Sequence, residues 1–151
     1  MVMISGVANG ASFYLIRHAE KQSGDDPGLT VQGQQRAQHI ASILSLSDIK
    51  AVYSTDYQRT RLTAQPIAEI KNLKVQIYDP KELQKFADEL LKRDISAVIV
   101  GHSNTTPQLA HLLSGESVSE MDENSFNLIY QVVTFPETKQ KQTALNVLNS
   151  D

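Results

Sequence analysis

Two histidines each follow directly on a short apolar run: His18 in "YLIRHAEK" (residues 14–21) and His102 in "VIVGHSN" (residues 98–104). Imidazole titrates near neutral pH, and in its neutral form it attacks phosphorus. Arg17 precedes His18, and Arg59 stands in "AVYSTDYQRTR" (residues 51–61), one turn into the helical stretch after another apolar run. Bringing these four side chains to one place is electrostatically costly unless an anion belongs there. Phosphate has the charge and the oxygens to satisfy them, and arginine forks match phosphoryl oxygens in bidentate fashion. Gly101 allows close backbone approach, and Ser103 with the amides opening the next helix adds donors toward the same anion. One histidine would attack phosphorus while the other donates to a phosphoryl oxygen. The arginines would keep imidazole neutral by disfavouring its cation and would stabilise charge on the group in transfer.

Each residue also has a plainer reading. Arg17-His18 could end a strand in water, Arg59 with Arg61 could be a solvated helix face, and His102 could bond a turn. The chemical reading rests on their conjunction at strand ends. His39 and His111 lie inside helical stretches and read as structural or surface residues. A metal site of His18, His102 and an acidic residue is opposed by the two arginines beside it. A phosphate- or phosphopeptide-binding module without turnover is the alternative from another class.

The elements that must position these residues are legible as alternating patterns. Strands are expected at 12–16, 51–53, 74–78, 97–100, 127–133 and 144–148; the first, second and fourth are continuously apolar, as strands buried on both faces are. Between them lie helical stretches. Residues 31–44 place Ala37, Ile40, Ala41 and Leu44 on one stripe, with Thr30 as N-cap. Residues 56–70 contain Pro66, where a kink is expected. Residues 80–91 begin with proline after Asp79 as cap, and 107–113 follow the cap candidates Asn104, Thr105 and Thr106 and end at Ser114-Gly115. The order β-α-β-α-β-α-β-α-β-β implies an α/β fold, a three-layer sandwich with helices on both faces of a mostly parallel sheet, its last strands antiparallel at an edge. In such sheets ligands bind beyond the carboxyl ends of the strands, which is where Arg17-His18, Ser54-Thr55 and Gly101-His102-Ser103 fall.

Composition narrows the partners. The chain has 151 residues, net charge −3 and no cysteine. That excludes disulfides, thiolate nucleophiles and zinc–sulfur sites, and a surface for nucleic acid or anionic membrane would need clustered positive charge. No apolar run is long enough to span a membrane. A phosphorylated small molecule or a phosphorylated protein remains. Residues 1–11, "MVMISGVANGA", read as a flexible tail or a signal-peptide remnant, compatible with cytoplasm or periplasm, ahead of one domain over residues 12–151.

"YLIRHAEK" resembles the Arg-His-Gly signature of the histidine phosphatase superfamily, the phosphoglycerate-mutase-like clan. The resemblance continues in order through "GLTVQGQQRAQ", "VYSTDYQRTRLTAQPIA" and "VIVGHSN". It implies the family's α/β sandwich, a metal-independent phosphatase without cofactor, His18 as the phosphorylated nucleophile, and Arg17, Arg59 and His102 completing the phosphate pocket. Three departures stand out. Ala19 replaces the glycine after the histidine, and Gly24 stands where mutases have a phosphate-contacting asparagine. Only "DPKELQKFADELLKRDIS" separates strands three and four, where mutases and many ester phosphatases carry a long insertion with a glutamate acid. An open site is expected, resembling the short members that act on phosphohistidine proteins; a mutase, which benefits from excluding water, fits less well. Asp79 and Glu82 are the acid candidates after strand three, Asp79 competing with its role as a cap.

Overall fold

Phe13 and Leu15 face one side of the first strand, Tyr14 and Ile16 the other, and this period-two alternation sorts the core into two layers. The computed structural model describes residues 10–135 and 142–151. The expected tail or signal remnant falls largely on residues 1–9, outside the described ones. Its last residue, Ala11, is buried and exchanges hydrogen bonds with Thr134.

The elements run β1 (Ser12–Arg17), α1 (Val31–Ile43), β2 (Ala51–Ser54), α2 (Gln58–Ile70), β3 (Val75–Ile77), α3 (Leu83–Arg93), β4 (Ala97–Gly101), α4 (Thr105–Ser114), β5 (Leu128–Phe135) and β6 (Gln142–Asn149). They form one sheet in the order β3-β2-β4-β1-β5-β6. Strands β3, β2, β4 and β1 are parallel, β5 runs antiparallel to β1, and β6 antiparallel to β5. On one face α1 and α2 pack Ile40, Ala64 and Ile67 against Ile16, Val52 and Val98. On the other, α3 and α4 pack Phe86, Leu90 and Leu109 against Leu15, Tyr53 and Ile99. This is the expected three-layer α/β sandwich, with its mostly parallel sheet. Burying such side chains is worth roughly 1.5–3 kcal/mol each, and a one-residue slip of an inner strand would turn its set to the wrong layer. Register is therefore held by both cores at once. No helix among the described residues is long and apolar enough to cross a membrane.

Local differences from the sequence expectation have identifiable causes. The Asp79 carboxylate accepts from the Lys81 amide and the Asp79 carbonyl from the Glu82 amide, closing a turn around Pro80. Asp79 thus caps this turn rather than the helix, and α3 starts later, at Leu83. Helix α4 starts earlier, at Thr105, because Pro107 sits in the first turn, where no N–H partner is needed. Helix α2 is one continuous helix through Pro66. Thr30 caps α1 as expected, accepting from the Gly33 amide.

Candidate active site

Strand register decides where the site side chains stand. Arg17 pairs with Gly101, and Ser54 with Val100. The residues that leave the sheet next are His18, His102 and Thr55, side by side at the carboxyl ends. The His18 amide donates to the Gly101 carbonyl at 2.9 Å, so the two histidine-bearing turns are bonded to each other. Arg59 arrives from the first turn of α2. Arg17, His18, Arg59, His102 and Ser103 line one open cleft of about 450 Å³, with Lys21, Lys81 and Glu123 also on its walls.

The tautomer of His18 follows from its partner. Nδ1 lies 2.8 Å from the Ala19 carbonyl, which only accepts, so Nδ1 carries the proton and Nε2 the lone pair. The turn is tied down from α2: the Ala19 amide donates to Thr63 Oγ1 at 2.9 Å, and that hydroxyl donates to the Arg59 carbonyl at 2.7 Å. Ala19 itself is fully buried with Leu29 and Ala37, so the methyl group in place of glycine is accommodated.

Arg17 is buried. Its Nη1 donates to the carbonyls of Asp122 (3.1 Å) and Ser125 (2.8 Å), and its guanidinium lies 4.1 Å over the Phe126 ring. Nη2 stands 3.9 Å from the carboxylate of Glu123, a residue whose side chain is 85% exposed. Arg59 lies 4.6 Å over the Tyr57 ring, and its Nη2 is 3.4 Å from His102 Nδ1. In both arginines Nε is buried without a hydrogen-bond partner among the described residues. A buried cationic donor left unpaired is costly, and an anion in the cleft would relieve it.

The pKa of each imidazole is pulled from 6.5 down to about 4. Burial is the largest cause for both, and the Arg17 and Arg59 charges add to it; the sequence had suggested the arginines alone. Both rings are therefore neutral near pH 7, and His18 Nε2 is free to attack an electrophile. The consequence for stability has a definite sign. Between about pH 6.5 and 4 the unfolded chain binds protons at these positions that the folded chain does not, so stability falls as the pH falls through this window. Each histidine contributes a slope of at most about 1.4 kcal/mol per pH unit. Denaturant midpoints measured at pH 7 and pH 5 should drop accordingly, and the double variant His18→Asn/His102→Asn should show a flatter dependence.

The five residues expected at the phosphate pocket are brought together. The acid candidates do not line this cleft: Asp79 and Glu82 border another beside α3, with Gln76 and Arg93, and Asp79 also lines a smaller one that adjoins the site through Tyr57, Pro80 and Lys81. The carboxylate in the site cleft is Glu123, which the sequence reading missed, along with Phe126; Thr55 was placed at the rim without a role. Gly101 has a different reason from the one expected. A Cβ there would stand 2.7 Å from the Tyr78 hydroxyl and 3.0 Å from Thr105 Oγ1, so the glycine makes room for packing beneath the site. His39 is exposed, and His111 bonds the Glu116 carbonyl through Nδ1 (2.7 Å), away from the site. Among the described residues no three His, Asp or Glu side chains gather as a metal site.

Residues 13–84, which hold Arg17, His18 and Arg59, match the model of the histidine phosphatase superfamily (branch 1). His102 lies beyond the matched stretch and joins the site through the pairing of β4 with β1. Phosphoserine phosphatase 1 of Hydrogenobacter thermophilus is 39% identical over 69 residues, covering 40% of this chain and 33% of that protein. The "Probable phosphoglycerate mutase GpmB" of Serratia proteamaculans is 29% identical over 138 residues, covering 82% of this chain and 64% of that protein. The chain thus spans between a third and just under two thirds of these curated relatives. In fold it is similar to the protein histidine phosphatase SixA complexed with tungstate (TM-score 0.71, 16% identity, 92% of this chain and 97% of that one). It is also similar to mycobacterial glucosyl-3-phosphoglycerate phosphatase Rv2419c (TM-score 0.75, 14% identity, 94% and 100%). Residues 13–84 thus carry the sequence match to the histidine phosphatase superfamily, and the fold built around them is similar to that of SixA and Rv2419c.

Proposed function

We propose that this protein is a metal-independent phosphatase that hydrolyses a phosphomonoester or a phosphohistidine through a covalent phosphohistidine on His18. The observation that carries the reading is His18 itself. Its Nδ1 proton is committed to the Ala19 carbonyl, and its bare Nε2 lies in a cleft with two arginines that each hold a buried, unpaired N–H. In the first half-reaction Nε2 attacks phosphorus, the bond from phosphorus to the leaving oxygen or nitrogen breaks, and the leaving atom takes a proton. In the second, water attacks the phosphohistidine, the P–N bond breaks, and phosphate departs with the imidazole neutral again. Arg17, Arg59, His102 and Ser103 hold the phosphoryl oxygens throughout.

The class of substrate follows from the proton the leaving group needs. Alkoxides are poor leaving groups and require a positioned acid, yet Asp79 and Glu82 do not line the cleft, and Glu123, the carboxylate that does, faces the Arg17 guanidinium at 3.9 Å with its side chain 85% exposed. Phosphohistidine and aryl phosphates ask less of an acid. The cleft also continues into a neighbouring one of about 520 Å³ that shares Ser103, Asn104 and Glu123, giving room for a leaving group as large as a peptide segment. SixA, a protein histidine phosphatase by name, has the same fold over nearly its whole chain. The mutase reading is disfavoured by the short connection between β3 and β4, from which only Pro80 and Lys81 border the cleft.

A turnover panel tests this. Phosphoramidate and aryl phosphate should be hydrolysed at least about tenfold faster than alkyl phosphates, with activity unchanged by exhaustive chelation. Binding of phosphate without turnover of any member would establish the non-catalytic binding module. Loss of activity on chelation, restored by one divalent ion, would revive the metal-site reading.

A further inference from the structure

One residue at the strand ends has no part in the scheme above. Thr55 follows β2 directly, is fully buried, and places Oγ1 2.9 Å from His102 Nε2. The proton positions along this contact can be worked out from both ends. At one end Arg59 Nη2 faces His102 Nδ1, and a guanidinium only donates, so Nδ1 must be the bare nitrogen and Nε2 the protonated one. At the other end Thr60 Oγ1 donates to the carbonyls of Thr55 and Tyr57, each at 3.0 Å. Its hydrogen spent, that oxygen accepts from the Thr55 hydroxyl at 2.9 Å. Thr55 has then used its only hydrogen, and its oxygen can only accept from His102. Both ends give one direction: His102 Nε2–H to Thr55, Thr55 to Thr60, Thr60 to backbone.

This arrangement sets a condition on binding. The ring atom of His102 beside Arg59 is a lone pair, which repels a phosphoryl oxygen rather than bonding it. Turning the ring over to present Nε2–H would break the bond to Thr55 and leave its buried oxygen without a donor, at the cost of a desolvated polar atom. Gaining a proton at Nδ1 gives up the 3.4 Å contact from Arg59 but keeps every bond from His102 to Thr60 and converts the ring to a donor on both sides. We propose that Thr55 is a positioning residue that locks His102 with Nδ1 toward the phosphoryl pocket, so that an anion enters the site together with one proton taken from solvent onto Nδ1. The inference rests on the phosphatase reading only for its effect on rate.

The charges around His102 set the balance. Arg59 from α2 and Arg17 from β1 oppose the imidazolium in the empty site, His18 and Tyr57 face the ring as neutral neighbours, and Lys21, Lys81 and Glu123 stand on the cleft walls. A bound dianion outweighs the arginines at close range. Threonine at position 55 thus makes the choice of nitrogen, and the anion supplies the reason to protonate it.

The test uses the intact protein with sulfate, whose two charges do not titrate in the range used. Nitrogen-15 NMR of the imidazoles at pH 6 should show His102 protonated at Nε2 alone in the free protein and at both nitrogens with sulfate. Calorimetry in buffers of different ionisation enthalpy should show an uptake approaching one proton per sulfate, abolished in His102→Asn. Thr55→Val should lower kcat on an aryl phosphate by about ten- to a hundredfold, with KM changed less than threefold, and should populate the other His102 tautomer. Thr55→Ser should restore both tautomer and rate. A free wild-type His102 protonated at Nδ1, or sulfate binding without proton uptake, would overturn the proposal. So would a Thr55→Val protein with unchanged tautomer and rate. If the wild type hydrolysed nothing, the NMR and calorimetric results would still decide the tautomer and the proton, so the two readings fail separately.

Discussion

Replacing His18 by alanine is expected to abolish turnover of every substrate that the wild type hydrolyses. The expectation is steeper than for any other substitution, because in the proposed mechanism the side chain supplies the atom that bonds to phosphorus rather than a contact that assists. His18 is buried at the end of β1, its amide is bonded to Gly101, and its Nδ1 to Ala19. Nothing else on the cleft wall offers a neutral nitrogen nucleophile in reach of the same anion except His102, whose ring centroid is 5.8 Å away and whose lone pair faces Arg59. His102 therefore cannot take over without rearrangement. The loss should come without unfolding, since the alanine leaves the backbone bond to Gly101 in place. Circular dichroism and the denaturant midpoint at pH 7 check this. Removing a histidine held neutral by burial should make His18→Ala less sensitive to acid than the wild type.

Arg59→Ala and His102→Ala form the second expectation. In the proposed mechanism both groups hold charge that grows on the phosphoryl oxygens as the bond to the leaving group breaks. Losing one preorganised donor in such a site costs on the order of 10²–10³ in rate. The fall should appear in kcat more than in KM, because the interaction strengthens toward the transition state. The two losses should not add. Arg59 Nη2 and His102 Nδ1 are 3.4 Å apart, and Tyr57 packs against both, 4.6 Å from the Arg59 guanidinium and 5.1 Å from the His102 ring. Removing either disturbs the other, so the double variant should be only modestly slower than the worse single one. Near-normal kcat in both single variants would show that the chemistry happens elsewhere.

What the sequence made legible was the part of the site that hangs on strand ends. Arg17, His18 and His102 follow apolar runs directly, and buried parallel strands must deliver their last residues to one rim. Arg59 was found because a helix that begins past β2 brings its first turn to the same rim. What stayed hidden depends on contacts between distant residues. Glu123, Phe126 and the carbonyls of Asp122 and Ser125 surround Arg17 across more than 100 positions of chain, from a segment with no periodic pattern. Thr55 was legible as a rim residue, but its contact with His102 appears only when β2 and β4 are set in register. Asp79 was misread as a helix cap for a simpler reason. An Asp-Pro pair opens a helix or closes a turn equally well, and the bond from Lys81 to its carboxylate selects the turn. Gly101 was assigned to ligand approach, whereas the obstruction a side chain would meet comes from Tyr78 and Thr105.

The central claim is that phosphorus bonds covalently to His18 Nε2. It is tested most directly by mixing the protein with aryl phosphate, quenching in base within the first turnover, and mapping the phosphorylated peptide by mass spectrometry. The account predicts phosphate on the peptide containing His18, stable to base and released by acid, and absent from His18→Ala. Phosphate mapped to any other side chain, or rapid turnover with no phosphoenzyme at any quench time, would contradict it.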